Sequence, residues 1–184
     1  KELAYNFLEI KERLFTFPWI KFKTFDQVLN NFYASYFAGA MIISRESITQ
    51  QLTELFSKEI FNEQEFIKLI NSYNASPESF YQRLSNILPK DFNLQNLFFL
   101  RFNYKKGDKK FQLKKELHLT HQHSPRANEV NEKYCRRWVS LEVLQGISKG
   151  KEEHLFDMQI SNFPKDNMKY LVLSSATKDP FKEN

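Results

Sequence analysis

The chain has 184 residues with a net charge of +5, 41% hydrophobic residues, nineteen phenylalanines and eight tyrosines against only four glycines. That length suits one large or two small domains with a real core, and the aromatic excess points to dense packing. So few glycines argue against dinucleotide or P-loop chemistry, one cysteine excludes an internal disulfide, and the small positive charge falls short of a nucleic-acid binder.

The first element in chain order is a helix over residues 1–11, carrying Leu3, Phe7, Leu8 and Ile10. Residues 16–23, with Pro18, form an extended or irregular link. A second helix opens at Thr24 or Phe25 and runs to about Ile43. It sets Ala34, Phe37, Ala38 and Met41 on one face, and its small residues Ala34, Ser35, Ala38, Gly39 and Ala40 allow another helix close approach. Ser44 caps a third helix with Ile48, Leu52, Leu55 and Phe56 at helical spacing.

Asn62 with Glu65 resembles a capping box and opens a helix whose stripe is Phe66, Leu69, Ile70 and Tyr73. Ser76-Pro77-Glu78 is a cap followed by proline at the first helical position, and starts a helix with Phe80, Leu84, Ile87 and Leu88 that Pro89 is expected to end. The last two helices, joined by Asn74-Ala75-Ser76-Pro77, form a helix-turn-helix-like pair. Its DNA contacts would be Glu78, Ser79, Gln82, Arg83 and Asn86, a poor set with one base-reading arginine, so a scaffold is the favoured reading.

Near residue 92 the periodicity changes. Residues 97–104 and 111–119 read as strands around a basic turn, residues 131–145 as strand then helix, and 158–160 and 169–176 as two further strands. A sheet of about four antiparallel strands with a helix is expected. The fold class is therefore α+β: a helical domain over 1–91 and a small antiparallel-sheet module over 92–184.

The opening Lys1-Glu2-Leu3-Ala4-Tyr5 resembles the H-E-x-x-H helix of ImmA/IrrE-type metallopeptidases with Lys1 and Tyr5 in place of the histidines. The stretch from Phe25 to Ile43 resembles the following helix of that family, with Tyr33 where a third zinc ligand, a glutamate, would stand. Glu2 would occupy a vestigial general-base position, and the replaced histidines lean against catalysis without deciding it. The second half, through Leu97 to Phe102, Ser124-Pro125-Arg126 and Tyr134-Cys135-Arg136-Arg137-Trp138, resembles the GAF/PAS-like sensing domain of bacterial XRE-type regulators of the short-chain fatty-acyl class. Some of those bind an iron–sulfur cluster through several cysteines and recognise acyl-CoA. Cys135 is alone here, which rules against a cluster.

Two chemistries compete around that segment. His118, His121, His123 and Cys135 could hold zinc, or be surface histidines and a buried thiol; their spacing matches no zinc-finger pattern. Arg126, Arg136 and Arg137, with His121, His123, Cys135 and Trp138, could instead bind an anionic ligand, since the guanidinium fork suits phosphate or carboxylate. The alternative is surface pairing of those arginines with Glu129, Glu132 and Glu142.

The resemblance implies a cytoplasmic regulatory fragment of a transcription factor that binds a small anionic metabolite such as an acyl-CoA. It would engage no membrane, reach DNA only through a domain outside this chain, and be capable of homodimerising. No cofactor is expected. Two alternatives remain: a zinc-dependent endopeptidase cleaving a repressor, with its metal held by other residues or by residues before Lys1, and a purely structural interaction module.

Overall fold

The computed structural model describes residues 1–12, 23–105, 111–118, 138–150, 154–163 and 167–178. Among these are six helices and four strands, an α+β chain that divides into two compact units, Lys1–Phe92 and Asn93–Asn184.

The first unit is helical. Helix α1 (Glu2–Phe7) is shorter than the expected 1–11. Glu9 takes a left-handed φ of 52°, the Glu9 N–H bonds the Asn6 carbonyl at 3.3 Å and the Ile10 N–H bonds the Tyr5 carbonyl at 3.0 Å. This is a Schellman stop made without glycine, and Ile10 folds back onto the buried Ala4, Tyr5 and Ala34 to complete it. Helix α2 (Phe25–Ile42) begins at Thr24, whose hydroxyl accepts the Gln27 N–H, and packs against α1 through Ala34 and Phe37.

Helices α3 (Arg45–Phe56), α4 (Glu63–Ser72) and α5 (Pro77–Asp91) build the rest of the unit. Ser44, Asn62 and Ser76 each accept the N–H three residues on, at 3.2, 3.3 and 3.2 Å. The capping box at α4 is only half made: the Glu65 carboxylate pairs with Lys58 at 2.6 Å. Pro89 does not end α5, which continues to Asp91. Lying in the last turn, it forfeits one backbone bond, and Arg45 clamps Asp91 with both Nε and Nη2. Those hydrogen bonds from Arg45 hold the Asp91 carboxyl below the ordinary carboxylate range. The interior is formed by Ile48, Leu52 and Leu55 of α3, Phe66 and Leu69 of α4, and Phe80, Leu84 and Ile87 of α5. Phe66 meets Phe80 edge-on at 6.1 Å.

The second unit carries the strands. β1 (Phe98–Asn103) pairs antiparallel with β2 (Gln112–His118), with Lys114 bulged opposite Arg101 and Phe102. β3 (His154–Phe163) and β4 (Met168–Thr177) pair along their whole length. The expected four-stranded sheet is corrected: among the described residues there are two separate two-stranded sheets. Each strand takes its sequence neighbour in a hairpin, the pairing with the least chain to close.

Helix α6 (Val139–Lys149) lies on the β3–β4 hairpin. Val139, Val143 and Ile147 make one stripe against Ala176, Leu155 and Val172. A Cβ on Gly146 would stand 2.9 Å from a Leu155 methyl, so glycine here lets the helix approach β3. No helix among the described residues is long and apolar enough to cross a membrane.

Candidate functional site

Zinc at the Lys1–Tyr5 opening would need ligands from Lys1, Tyr5 and Tyr33. Tyr5, at the second histidine position, is 0% exposed, packed with Ala4 and Ala34. Its phenol oxygen is buried without a hydrogen-bond partner. Lys1, at the first position, donates its ammonium to the Asn31 side chain at 3.2 Å. Tyr33 is half exposed and follows its neighbour Phe32 rather than α1. Successive helical residues turn by about 100°, so Tyr33 lies well round α2 from Ala34, which faces α1.

These three positions do not fit zinc. One is a cation, one a phenol sealed in apolar packing, and the third points elsewhere. Glu2 is exposed on the outside of α1. Among the described residues no group of three or more His, Cys, Asp or Glu could hold a metal ion. Removing the orphaned hydroxyl should help the fold. Tyr5→Phe is expected to raise stability by about 1 kcal/mol, since an unpaired buried hydroxyl costs roughly 1–3 kcal/mol. Urea unfolding followed by helical circular dichroism reads this, and a lower midpoint would show that the hydroxyl is bonded.

The helix-turn-helix-like pair loses its DNA reader. Arg83 is 5% exposed. Its Nε donates to the Ile43 carbonyl at 3.1 Å, and its guanidinium lies 5.1 Å from the Tyr36 ring centre. The Gln82 amide is held by Glu78, and the Asn86 amide by the Gln82 carbonyl. What remains on α5 for a DNA groove carries no exposed arginine.

Between α3 and α4 runs a groove of about 330 Å³ over Leu55 and Leu69. Its polar walls hold Glu54 and Glu65 against Lys58 and Lys68, and the Lys58–Glu65 pair closes part of it. Balanced charge gives it no preference for an anion or a cation.

In the second unit the one expected ligand-binding residue among the described residues is Trp138. It stands at the start of α6, its ring stacked on Phe98 at 6.5 Å and 17°. Phe98 meets the buried Tyr170 at 5.5 Å. Three aromatic rings from β1, the α6 start and β4 thus form one cluster. The adjacent Val139 N–H is taken by the Gln159 side chain at 3.3 Å, which fixes the backbone beside Trp138. His121, His123, Arg126, Cys135, Arg136 and Arg137 lie outside the described residues. Phe98 and Tyr170 were not legible as partners of Trp138; each reads locally as an ordinary strand aromatic.

Compared with protein-family models, curated proteins and solved structures, the chain matches none. The site therefore stands on its own chemistry. It offers an aromatic cluster at the end of a segment whose sequence is rich in arginine and histidine, and a helical unit in which Lys1, Tyr5 and Tyr33 do not fit zinc.

Proposed function

We propose that this chain is the regulatory, ligand-sensing part of a bacterial transcriptional regulator acting in the cytoplasm. In this reading a non-catalytic, peptidase-like helical scaffold is coupled to a module that binds a small anionic metabolite such as an acyl-CoA. The observation that carries the reading is that Trp138, directly after Cys135-Arg136-Arg137 in the chain, stacks on Phe98, which in turn meets Tyr170. Flat aromatic surface suits a base or an acyl chain, and arginine suits the phosphates or carboxylate attached to it. The buried Tyr5 and cationic Lys1 support a scaffold rather than a zinc peptidase. Signalling requires the ligand to favour one arrangement of the chain over another. DNA would be reached through a domain outside this chain.

Native mass spectrometry of the purified chain tests ligand retention, and titration with a short-chain acyl-CoA tests the class. Replacing Arg136 and Arg137 together with alanine is expected to weaken that binding at least about tenfold, because each charge-assisted bond is worth roughly 1.5–3 kcal/mol. The circular dichroism spectrum should not change. Unchanged affinity in the double variant removes these arginines from the site.

A further inference from the structure

Helix α2 presents a long apolar face that the described residues of its own unit cover only in part. A face running from about 80° round from Ala34 to its far side carries Phe25, Val28, Phe32, Ser35, Gly39 and Ile42, spaced 3-4-3-4-3, the seam of a two-stranded coiled coil. Phe25 is 74% exposed, Phe32 54%, Ile42 50% and Val28 41%. Asp26 is the one charged residue in the whole helix. A helix this apolar on both faces needs cover on both.

We propose that this seam pairs with the same seam of a second copy, antiparallel, making the chain a two-fold homodimer. The commitment to a second copy comes from the order of side-chain sizes. The large residues Phe25, Val28 and Phe32 fill the first half of the seam, and the small ones Ser35 and Gly39 follow. Antiparallel pairing sets Phe32 on Ser35, Val28 on Gly39 and Phe25 on Ile42 of the other copy, so each bulky knob meets a smaller position. Parallel pairing would set Phe32 on Phe32 and leave a gap at Gly39.

Two details agree. The Ser35 hydroxyl is already spent on the Asn31 carbonyl at 2.6 Å, so the side chain can face an apolar partner without an unmet donor. Among the described residues a Cβ at Gly39 would meet nothing within 4 Å, so they give no reason for a glycine inside this helix. Close approach of a second backbone does. Taking an aromatic side chain as about 150–250 Å² and the two aliphatic ones as smaller, the exposed fractions amount to roughly 400 Å² per copy, or about 800 Å² for a pair, the size of a weak, transient interface. The proposal is independent of the sensing reading.

The test is sedimentation velocity of the full chain at about 1–100 µM, where a modest dimer is populated. The expected result is a species of twice the 22.1 kDa chain mass. Phe32→Asp should raise the dissociation constant at least about a hundredfold, since a carboxylate cannot be buried in an apolar seam, with helical circular dichroism unchanged. For orientation, Phe25→Cys and Ile42→Cys proteins are mixed under mild oxidation in a Cys135→Ser background. Antiparallel pairing gives the mixed disulfide, whereas homodisulfides of each variant overturn the arrangement. A monomer throughout overturns the dimer. A dimer indifferent to Phe32→Asp overturns the choice of face.

Discussion

Phe80→Ala is expected to destabilise the helical unit by about 3–5 kcal/mol, the range for a large aromatic removed from a packed core. Phe80 is 0% exposed, and its ring touches Phe66 at 6.1 Å, Tyr73 at 5.9 Å and Tyr81 at 6.1 Å. The cavity would close poorly because its walls are pinned. Tyr73 donates to the Gln51 side chain at 2.5 Å and stands 3.0 Å from the Ser47 hydroxyl, which ties the α4–α5 corner to α3. Phe56 offers the control: at 42% exposure, with one edge contact to Phe92, its truncation should cost less than half as much. Urea unfolding of both variants makes the comparison. Equal costs would mean that the corner is not the anchor of the unit.

Phe80 was visible in the sequence, and so were the elements around it, because the signals there are local. A cap at Ser44, Asn62 or Ser76 acts on a backbone N–H three residues away, and an apolar stripe repeats within one helix. The end of α1 was not visible. It depends on Glu9 taking a left-handed conformation that glycine usually announces, and on Ile10 finding Tyr5 and Ala34. The two hairpins were legible, since each strand pairs with its sequence neighbour, but whether the hairpins join edge to edge depends on contacts between distant segments, and among the described residues they stay two separate sheets.

The candidate site shows the same split. Trp138 could be singled out beside its arginines, but Phe98 and Tyr170 come from strands far away on either side. The metal-like opening was legible as a pattern of letters. Its physical meaning depended on Tyr5 being sealed against Ala34 while Tyr33 turns away, and that relation between two helices is not written in either one. Arg83 differs, because a signal was present. It lies three residues after Phe80 and four before Ile87, on the same stripe as Leu84, so helical periodicity alone places it inward. Its charge made it look like a surface residue.

That placement gives Arg83 the second large effect. Arg83→Ala is expected to cost about 3 kcal/mol, because it strips the hydrogen bond from the buried Ile43 carbonyl, where an unmet acceptor costs roughly 1–3 kcal/mol, and also removes the packed aliphatic stem. The contact with Tyr36 is lost as well. Arg83→Met should cost clearly less, since it keeps the stem and removes both the buried charge and the unpartnered Nη1. Chemical denaturation of the two variants separates stem from guanidinium. A recognition helix reading DNA through Arg83 predicts the reverse for alanine: stability within about 0.5 kcal/mol of the parent, as for an ordinary surface substitution, and loss of DNA binding. The position of the guanidinium, bonded to the carbonyl that closes α2 and laid over the Tyr36 ring, makes Arg83 a tie between α2 and α5.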